Sequence, residues 1–377
     1  MKRCIACGAP LWETPLLTLD NMPASAQHMP DAEHVGADKG LTLDLCQCSG
    51  CGLVQFDCEP VDYYRDVIRA GGYSTTMAEL RRKQYKHLIE TYHLEGKRFT
   101  EVGCGQGEFL QVLKEFPVEV HGIEHDPALV ELAKSKGIDV VQGFTETEDT
   151  VFPGGLYDVF LSFNFLEHQP DPVTMLRAIW NNLEDDAMGL ITVPSFEYIM
   201  EHSSYYELIR DHIAYYTFDT LTSLMERSGF DVVEASMINR DTLSLIVRKR
   251  PQVETENLLE CYVNLREEMN TYMKYLRAWH KTVCIWGASH QGFTLAATTC
   301  LGENAEYIID SAPFKHGKYA PASHLPIVPP EYFEAHPVDA IVITAPGYTD
   351  EIAGIIRKRF GDQVEIRAMR SNHLEMV

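Results

Sequence analysis

No stretch of this sequence approaches the roughly 20 consecutive apolar residues that span a bilayer. Behind Met1-Lys2-Arg3, the segment from Cys4 to Leu11 supplies no apolar core for a signal peptide. Basic residues are also short: 32 Lys and Arg stand against 55 Asp and Glu, a formal charge of −23, with no Lys/Arg cluster. Phosphate backbones need a basic footprint, so the balance argues against RNA or DNA and toward a small-molecule substrate, with no membrane partner. A cytoplasmic, reduced setting is expected, in which the ten cysteines read as thiols or metal ligands. At 377 residues the chain should form two or three domains, as a monomer or a small homo-oligomer.

What is present begins with those cysteines, six of them within residues 1–60. Cys4-Ile-Ala-Cys7-Gly is one knuckle and Cys46-Gln-Cys48-Ser-Gly-Cys51-Gly another. Two CxxC turns about 40 residues apart can set four thiolates around a tetrahedral metal, small neighbours letting backbone amides point at the sulfurs. Cys4, Cys7, Cys48 and Cys51 are the preferred set, for a structural Zn2+; redox chemistry or an iron site is the alternative. Cys46 is a fifth thiol, too close to Cys48 to make the better pair. Cys58, Cys104, Cys261, Cys284 and Cys300 read as plain buried thiols. Between the knuckles, residues 17–43 lack strong periodicity and read as a long ordered loop.

Residues 62–97 read as a helical lead-in, interrupted at Gly71-Gly72-Tyr73-Ser74, where Tyr73 is a candidate on a substrate lid. The stretch FTEVGCGQGEFL, from Phe99 to Leu110, then organises the chain. A strand (98–102) breaks into Gly103-Cys104-Gly105-Gln106-Gly107 and leads into a helix (107–115). Glycines at those spacings let backbone amides approach a ligand, and the helix behind them offers unpaired N–H groups. A second strand (118–124) ends at Glu124, where a nucleotide-binding βαβ unit puts a carboxylate on ribose hydroxyls. A dinucleotide prefers GxGxxG; here the third glycine comes one residue early. Glu101, just before the loop, would repel a pyrophosphate but could pair with the ammonium of an amino acid.

EVGCGQGEFL thus resembles the first motif of class I S-adenosylmethionine-dependent methyltransferases. The resemblance implies Glu101 near the methionyl ammonium and Glu124 on the ribose. Gly103, Gly105 and Gly107 in the loop, Gly143 and Phe144 after the third strand, and Asn164 after the fourth complete the candidate cofactor set.

From 98 to about 250 strands and helices alternate, ending in two strands, 231–238 and 242–248, which predicts a doubly wound α/β sheet with ligands at the carboxyl ends of its strands. The fourth strand ends in NFLEHQPDP, carrying His168. After the fifth comes RDHIAYYT, carrying Asp211, His212, Tyr215 and Tyr216, then a helix capped by Thr217. A histidine beside an acid at a strand's carboxyl end suits a general base, since imidazole titrates near neutrality. The alternative for either histidine is a solvated loop residue. A long amphipathic helix (251–280) precedes a second nucleotide-type pattern, VCIWGASHQG with Asp310 ending the next strand.

End to end, the chain resembles the sugar C-methyltransferases acting on nucleotide-linked deoxysugars. The matching stretches are CIACG, CQCSGCGLVQF, EVGCGQGEFL, NFLEHQPD, DHIAYYT and the tail IIDSAPFKHGKYAP. The resemblance implies a zinc-binding domain (1–60), the lead-in (61–97), a methyltransferase domain (98–250), a linking helix (251–280) and a C-terminal Rossmann-like domain (281–377). It also implies that His212 removes the proton alpha to a ketone so that the enolate takes the methyl, with Asp211 orienting and His168 in the site; Tyr73, just ahead of the cofactor domain, and Tyr215 and Tyr216, beside His212, are the substrate candidates. Ile209, Asp211 and Thr344-Ala345-Pro346-Gly347-Tyr348 depart from the family's pattern at a tyrosine, a glutamate and a Trp-Asn pair. An O- or N-methyltransferase, and a non-catalytic protein holding the cofactor or its product, are the competing readings.

Overall fold

The computed structural model describes residues 2–66 and 74–377, in two compact units, Met1–Pro251 and Gln252–Val377. Tyr73 lies outside the described residues.

The first unit opens with β1 (Leu17–Met22), β2 (Leu41–Gln47) and β3 (Val54–Phe56), followed by α1 (Thr75–Tyr92). Then come β4 (Arg98–Val102), α2 (Glu108–Leu113), β5 (Glu119–Glu124), α3 (Pro127–Ser135), β6 (Asp139–Gln142) and β7 (Tyr157–Phe163). The remainder is α4 (Pro172–Asn181), β8 (Leu183–Pro194), α5 (Phe196–His202), β9 (Ala214–Tyr215), α6 (Phe218–Arg227), β10 (Phe230–Ile238) and β11 (Thr242–Lys249). Local chemistry sets the helix starts. The side chains of Ser74, Asp126 and Asp171 accept from the first-turn N–H groups of α1, α3 and α4, with Pro127 and Pro172 at the first helical positions. Thr217 and Thr220 close a reciprocal capping box on α6.

Seven strands form one sheet in the order β10-β11-β8-β7-β4-β5-β6. β4 runs parallel to both β5 and β7, while β11 runs antiparallel to β8 and β10. β4 and β7 are buried along nearly their whole length, as central parallel strands covered on both faces must be. Because the chain crosses to β5 on one side of β4 and to β7 on the other, a crevice opens at the carboxyl end of β4, where doubly wound sheets bind ligands.

A second sheet has the order β1-β2-β3-β9. Here the expected long loop over 17–43 is corrected. Leu17 pairs with Leu45 and Leu19 with Leu43, so the segment is a hairpin whose connecting loop begins after Met22. The period-2 signal in β1 is weak because this edge strand is mostly exposed. Its far edge comes from elsewhere in the chain: Val54 pairs with Tyr215 and Gln55 with Ala214, so the strand after His212 completes the N-terminal sheet. The helical lead-in is also shorter than expected, with residues 62–65 in turns and the helix beginning at Thr75.

The second unit starts with α7 (Glu256–Ala278), whose Met269, Tyr272, Met273 and Leu276 enter that unit's own core. Six strands follow: β12 (Val283–Trp286), β13 (Ile308–Ile309), β14 (Ile327–Val328), β15 (Ala340–Ile343), β16 (Glu365–Met369) and β17 (Leu374–Met376). They form a sheet ordered β14-β13-β12-β15-β16-β17, parallel except for β17. The loop after β12 repeats the logic of the loop after β4, since Asp310 accepts from the Ala288 N–H at 2.9 Å. Lys315 also reaches Asp310, at 2.8 Å, so this acid has a cation beside it.

Candidate active site

The loop from Gly103 to Gly107 leaves β4 with all three glycines in the left-handed region, at φ 74°, 58° and 77°. Two of them are also forced by close approach. A Cβ on Gly103 would meet the Phe165 ring at 2.9 Å, and one on Gly107 the Ile138 side chain at 2.4 Å. Among the described residues a Cβ at Gly105 would meet only the Glu108 carboxylate, at 3.3 Å, so the crest of the loop presents backbone that a ligand can approach. Gly103→Ala combines a positive φ with an overlap on Phe165. It should cost on the order of 1–3 kcal/mol of stability, read as a lower denaturation midpoint.

Glu124, buried at the end of β5, accepts the Gly105 N–H at 2.7 Å and the Asp126 N–H at 3.0 Å. Those bonds fix the carboxylate beside the loop. Glu101, at the end of β4, is fully buried. Gly143 follows β6 and donates its N–H to the Glu124 carbonyl. Phe144 lies edge-on to Tyr64, His125 and Phe165, at ring separations of 6.0, 5.8 and 6.4 Å. Asn164 sits after β7 at φ 50°, its side-chain oxygen accepting from the Thr192 hydroxyl. The cofactor candidates thus gather around the carboxyl ends of β4, β5, β6 and β7. Arg81 of α1 was not singled out from the sequence. It is buried with its guanidinium 3.7 Å from the Phe163 ring centre and donates to Thr192. An arginine in an otherwise amphipathic helix reads as a surface charge, so nothing local marked it.

His168 and His212 come together although 43 residues separate them in the chain: their rings meet edge to face at 4.7 Å. His168 lies in a buried turn after β7, and its Nδ1 donates to the Asp211 carbonyl at 2.8 Å. Asp211 therefore holds His168 through its backbone. Its carboxylate is turned the other way, accepting from the Tyr63 hydroxyl at 2.6 Å and the Ala26 N–H at 3.1 Å. Ser25 hydrogen-bonds the same tyrosine oxygen at 2.7 Å. Tyr63 and residues 25 and 26 are neighbours of the candidate site that sequence reasoning missed, because nothing local ties residue 63 to residue 211.

The two tyrosines expected beside substrate lie in the core. Tyr215 packs edge-on against Phe56, and its hydroxyl is spent on the Ile209 main chain, accepting at 2.8 Å and donating at 3.0 Å. Tyr216 is fully buried. Tyr215 belongs to the strand that closes the N-terminal sheet, and Tyr216, the next residue, bridges to Ser195 after β8, so both rings are drawn inward.

Burial holds the His168 imidazolium down to about 4, and burial together with the neighbouring His168 holds His212 down to about 3. Both rings are neutral at pH 7, and each offers a lone pair. The His212 ring has no hydrogen-bond partner among the described residues. Because the unfolded histidines titrate near 6.5, the unfolded chain binds more protons between that pH and the folded values, so stability falls as pH drops through this window. The denaturation midpoint should decline from pH 6.5 to 5 more steeply in wild type than in a His168→Gln/His212→Gln variant.

In the knuckles, Cys4 Sγ lies 3.6 Å from Cys51 Sγ, and Cys7 Sγ 3.4 Å from Cys48 Sγ. Thiolates about 2.3 Å from a tetrahedral zinc lie roughly 3.8 Å apart, so the four sulfurs are nearly at ligand spacing. The Ala6 N–H points at Cys4 Sγ, and the Gly50 and Cys51 N–H groups at Cys48 Sγ. Burial opposes ionisation of Cys48, but those two amides together with the neighbouring Cys7 and Cys4 sulfurs outweigh it and draw the thiol down to about 7. Cys46 is buried outside the cluster. Cys104 and Cys284 are fully buried, whereas Cys58, Cys261 and Cys300 are only half-buried.

Comparison with known proteins agrees with this architecture. Residues 76–235 match a methyltransferase domain and residues 256–363 a C-methyltransferase C-terminal domain. The C-methyltransferase NovU of Streptomyces niveus is 22% identical over 387 residues, covering 93% of this chain and 91% of its own. The chain is an S-adenosylmethionine-dependent methyltransferase with a C-methyltransferase C-terminal domain. A more partial relative of this methyltransferase is the tRNA U34 carboxymethyltransferase of Sulfurimonas denitrificans, 23% identical over 51% of this chain and 67% of its own. Among solved structures, the magnesium protoporphyrin IX methyltransferase of Synechocystis with bound SAH covers 50% of this chain and 97% of its own at 13% identity, with a TM-score of 0.39. No helix among the described residues of the methyltransferase is long and apolar enough to cross a membrane.

Proposed function

We propose that this methyltransferase methylates carbon in a nucleotide-linked keto-deoxysugar, with His212 as the base. The observation that carries the reading is the neutral His212 ring, without a hydrogen-bond partner among the described residues, beside a histidine that the Asp211 carbonyl holds in one tautomer. The likeness to NovU over almost the whole chain supports transfer to carbon.

The residues around the loop fit S-adenosylmethionine: approachable backbone at Gly105, and a carboxylate at Glu124 already aligned by two amides. When bound, the cofactor supplies an electrophilic methyl group. Glu124 would hold the ribose hydroxyls, and Glu101, Gly103, Gly107, Gly143, Phe144 and Asn164 would shape the rest of the pocket. A C–H bond beside a ketone is acidic enough for an imidazole to deprotonate if the two are held in contact. His212 takes that proton at its free ring nitrogen, leaving an enolate whose carbon is the nucleophile. His168 braces the His212 ring. Asp211 and Tyr63 position the loop carrying His212, and the Asp211 carbonyl ties His168, on the turn after β7, to that loop. Cys4, Cys7, Cys48 and Cys51 would hold a structural zinc, since four thiolates leave no open coordination position.

Glu124→Ala removes a charged acceptor from the ribose, so S-adenosylmethionine should bind about 10- to 100-fold more weakly by calorimetry, from the ~1.5–3 kcal/mol of such bonds. The substrate reading is tested by offering labelled S-adenosylmethionine with a panel of nucleotide keto-sugars and locating the methyl by NMR. Label on carbon alpha to the ketone is the expected result. Label on oxygen or nitrogen replaces it with the simpler transfer, and no label on any sugar removes the substrate class.

A further inference from the structure

The proposed reaction gives Glu167 no task, yet this carboxylate is buried beside the two histidines. We infer that Glu167, His168 and His212 form a second divalent-metal site, distinct from the four cysteines, and that a cation there occupies the lone pair His212 needs as a base. The consequence for turnover rests on His212 being that base; the site itself does not.

Each of the three residues offers one ligand atom, and these atoms all lie within 4.8 Å of one another. His168 Nε2 is 3.9 Å from a Glu167 carboxylate oxygen. Ligands held about 2.1 Å from one tetrahedral ion lie about 3.4 Å apart, so the widest pair needs to close by up to about 1.4 Å. His168 is already prepared: its Nδ1–H is spent on the Asp211 carbonyl, which leaves the Nε2 lone pair facing Glu167. Ligating histidines are typically held in this way by a second hydrogen bond. Consecutive residues in one buried turn supply two ligands, and the loop before β9 supplies the third. Two imidazole nitrogens and one carboxylate oxygen suit zinc, cobalt, nickel or ferrous iron better than magnesium or calcium, which prefer all-oxygen shells. Three protein ligands also leave a coordination position open, unlike the closed set of four thiolates.

The test uses the purified full chain with whatever metal its cysteines retain. Equilibrium dialysis against zinc ion alone should add one equivalent per chain to wild type and none to Glu167→Gln or His168→Gln. With cobalt ion as probe, the added equivalent should lack the thiolate charge-transfer absorption of a cysteine site. Methyl transfer should fall in step with the added equivalent and return when a mild chelator removes it. A wild type that takes up no further metal overturns the site, whatever the variants do. Equal uptake by wild type and both variants, each checked for native near-UV circular dichroism, overturns the ligand assignment. Uptake with turnover unchanged overturns the blocking of His212. Because uptake is counted without any substrate, its failure is distinguishable from failure of the carbon-methylation reading.

Discussion

His212→Ala is expected to lower methyl transfer about 10²- to 10⁴-fold while leaving S-adenosylmethionine affinity unchanged. The separation follows from position. The His212 ring contacts His168 and Tyr215, whereas the cofactor candidates stand on the glycine loop and at the end of β5. Single-turnover rates and calorimetry on the same preparation check the two halves. A kcat that stays within a few-fold of wild type removes His212 from proton transfer; a joint loss of rate and cofactor affinity points instead to local collapse. His168→Gln should act more mildly, because it leaves the His212 nitrogen in place and disturbs only its neighbour. Asp211→Asn should be milder still, since the group that holds His168 is the Asp211 carbonyl, which the substitution keeps.

The second large effect is expected from metal removal. Structural zinc in small domains supplies on the order of 10–16 kcal/mol of apparent binding free energy, and four paired thiols without it have only their packing. Cys48→Ser, or a strong chelator, should melt the sheet of β1, β2, β3 and β9 and abolish methyl transfer. The loss is transmitted by backbone: the Phe56 N–H bonds the carbonyl of Ile213, the residue after His212, and Val54 pairs with Tyr215. Metal analysis, far-UV circular dichroism and activity on the chelated protein are the readouts. Full activity in metal-free protein would contradict this coupling.

These effects also separate what the sequence carried from what it did not. The glycine loop, the acid at 124 and the CxxC pairs are legible because each is a short-range pattern whose chemistry demands particular residues at fixed spacing. The alternation of strands and helices from 98 to 250 is legible for the same reason, through periodicity and strong caps such as Asp126-Pro127 and Asp171-Pro172. The hairpin at 17–22 was hidden by an exposed edge strand, which need not alternate cleanly. The roles of Tyr63, Ser25 and Ala26 are set by contacts to Asp211 across the chain, and pairings between distant residues leave no local trace. Asp211 itself was legible as important but not in its manner of acting, because a carboxylate draws attention that its own carbonyl does not. Tyr215 and Tyr216 looked like ligand contacts since aromatic residues beside a histidine suit either a pocket or a core, and only tertiary packing decides.

The pairing of Val54 with Tyr215 has a consequence for the newborn chain. At usual translation speeds, β3 leaves the ribosome on the order of ten to thirty seconds before its partner β9 has been synthesised. During that interval three residues buried in the finished protein present an open strand edge. Early seating of a metal between the two knuckles, which need only the first 51 residues, would hold that edge in a compact hairpin instead of leaving it to pair with a neighbouring chain. Yield of soluble protein should therefore follow zinc supply during synthesis more closely than zinc added after lysis.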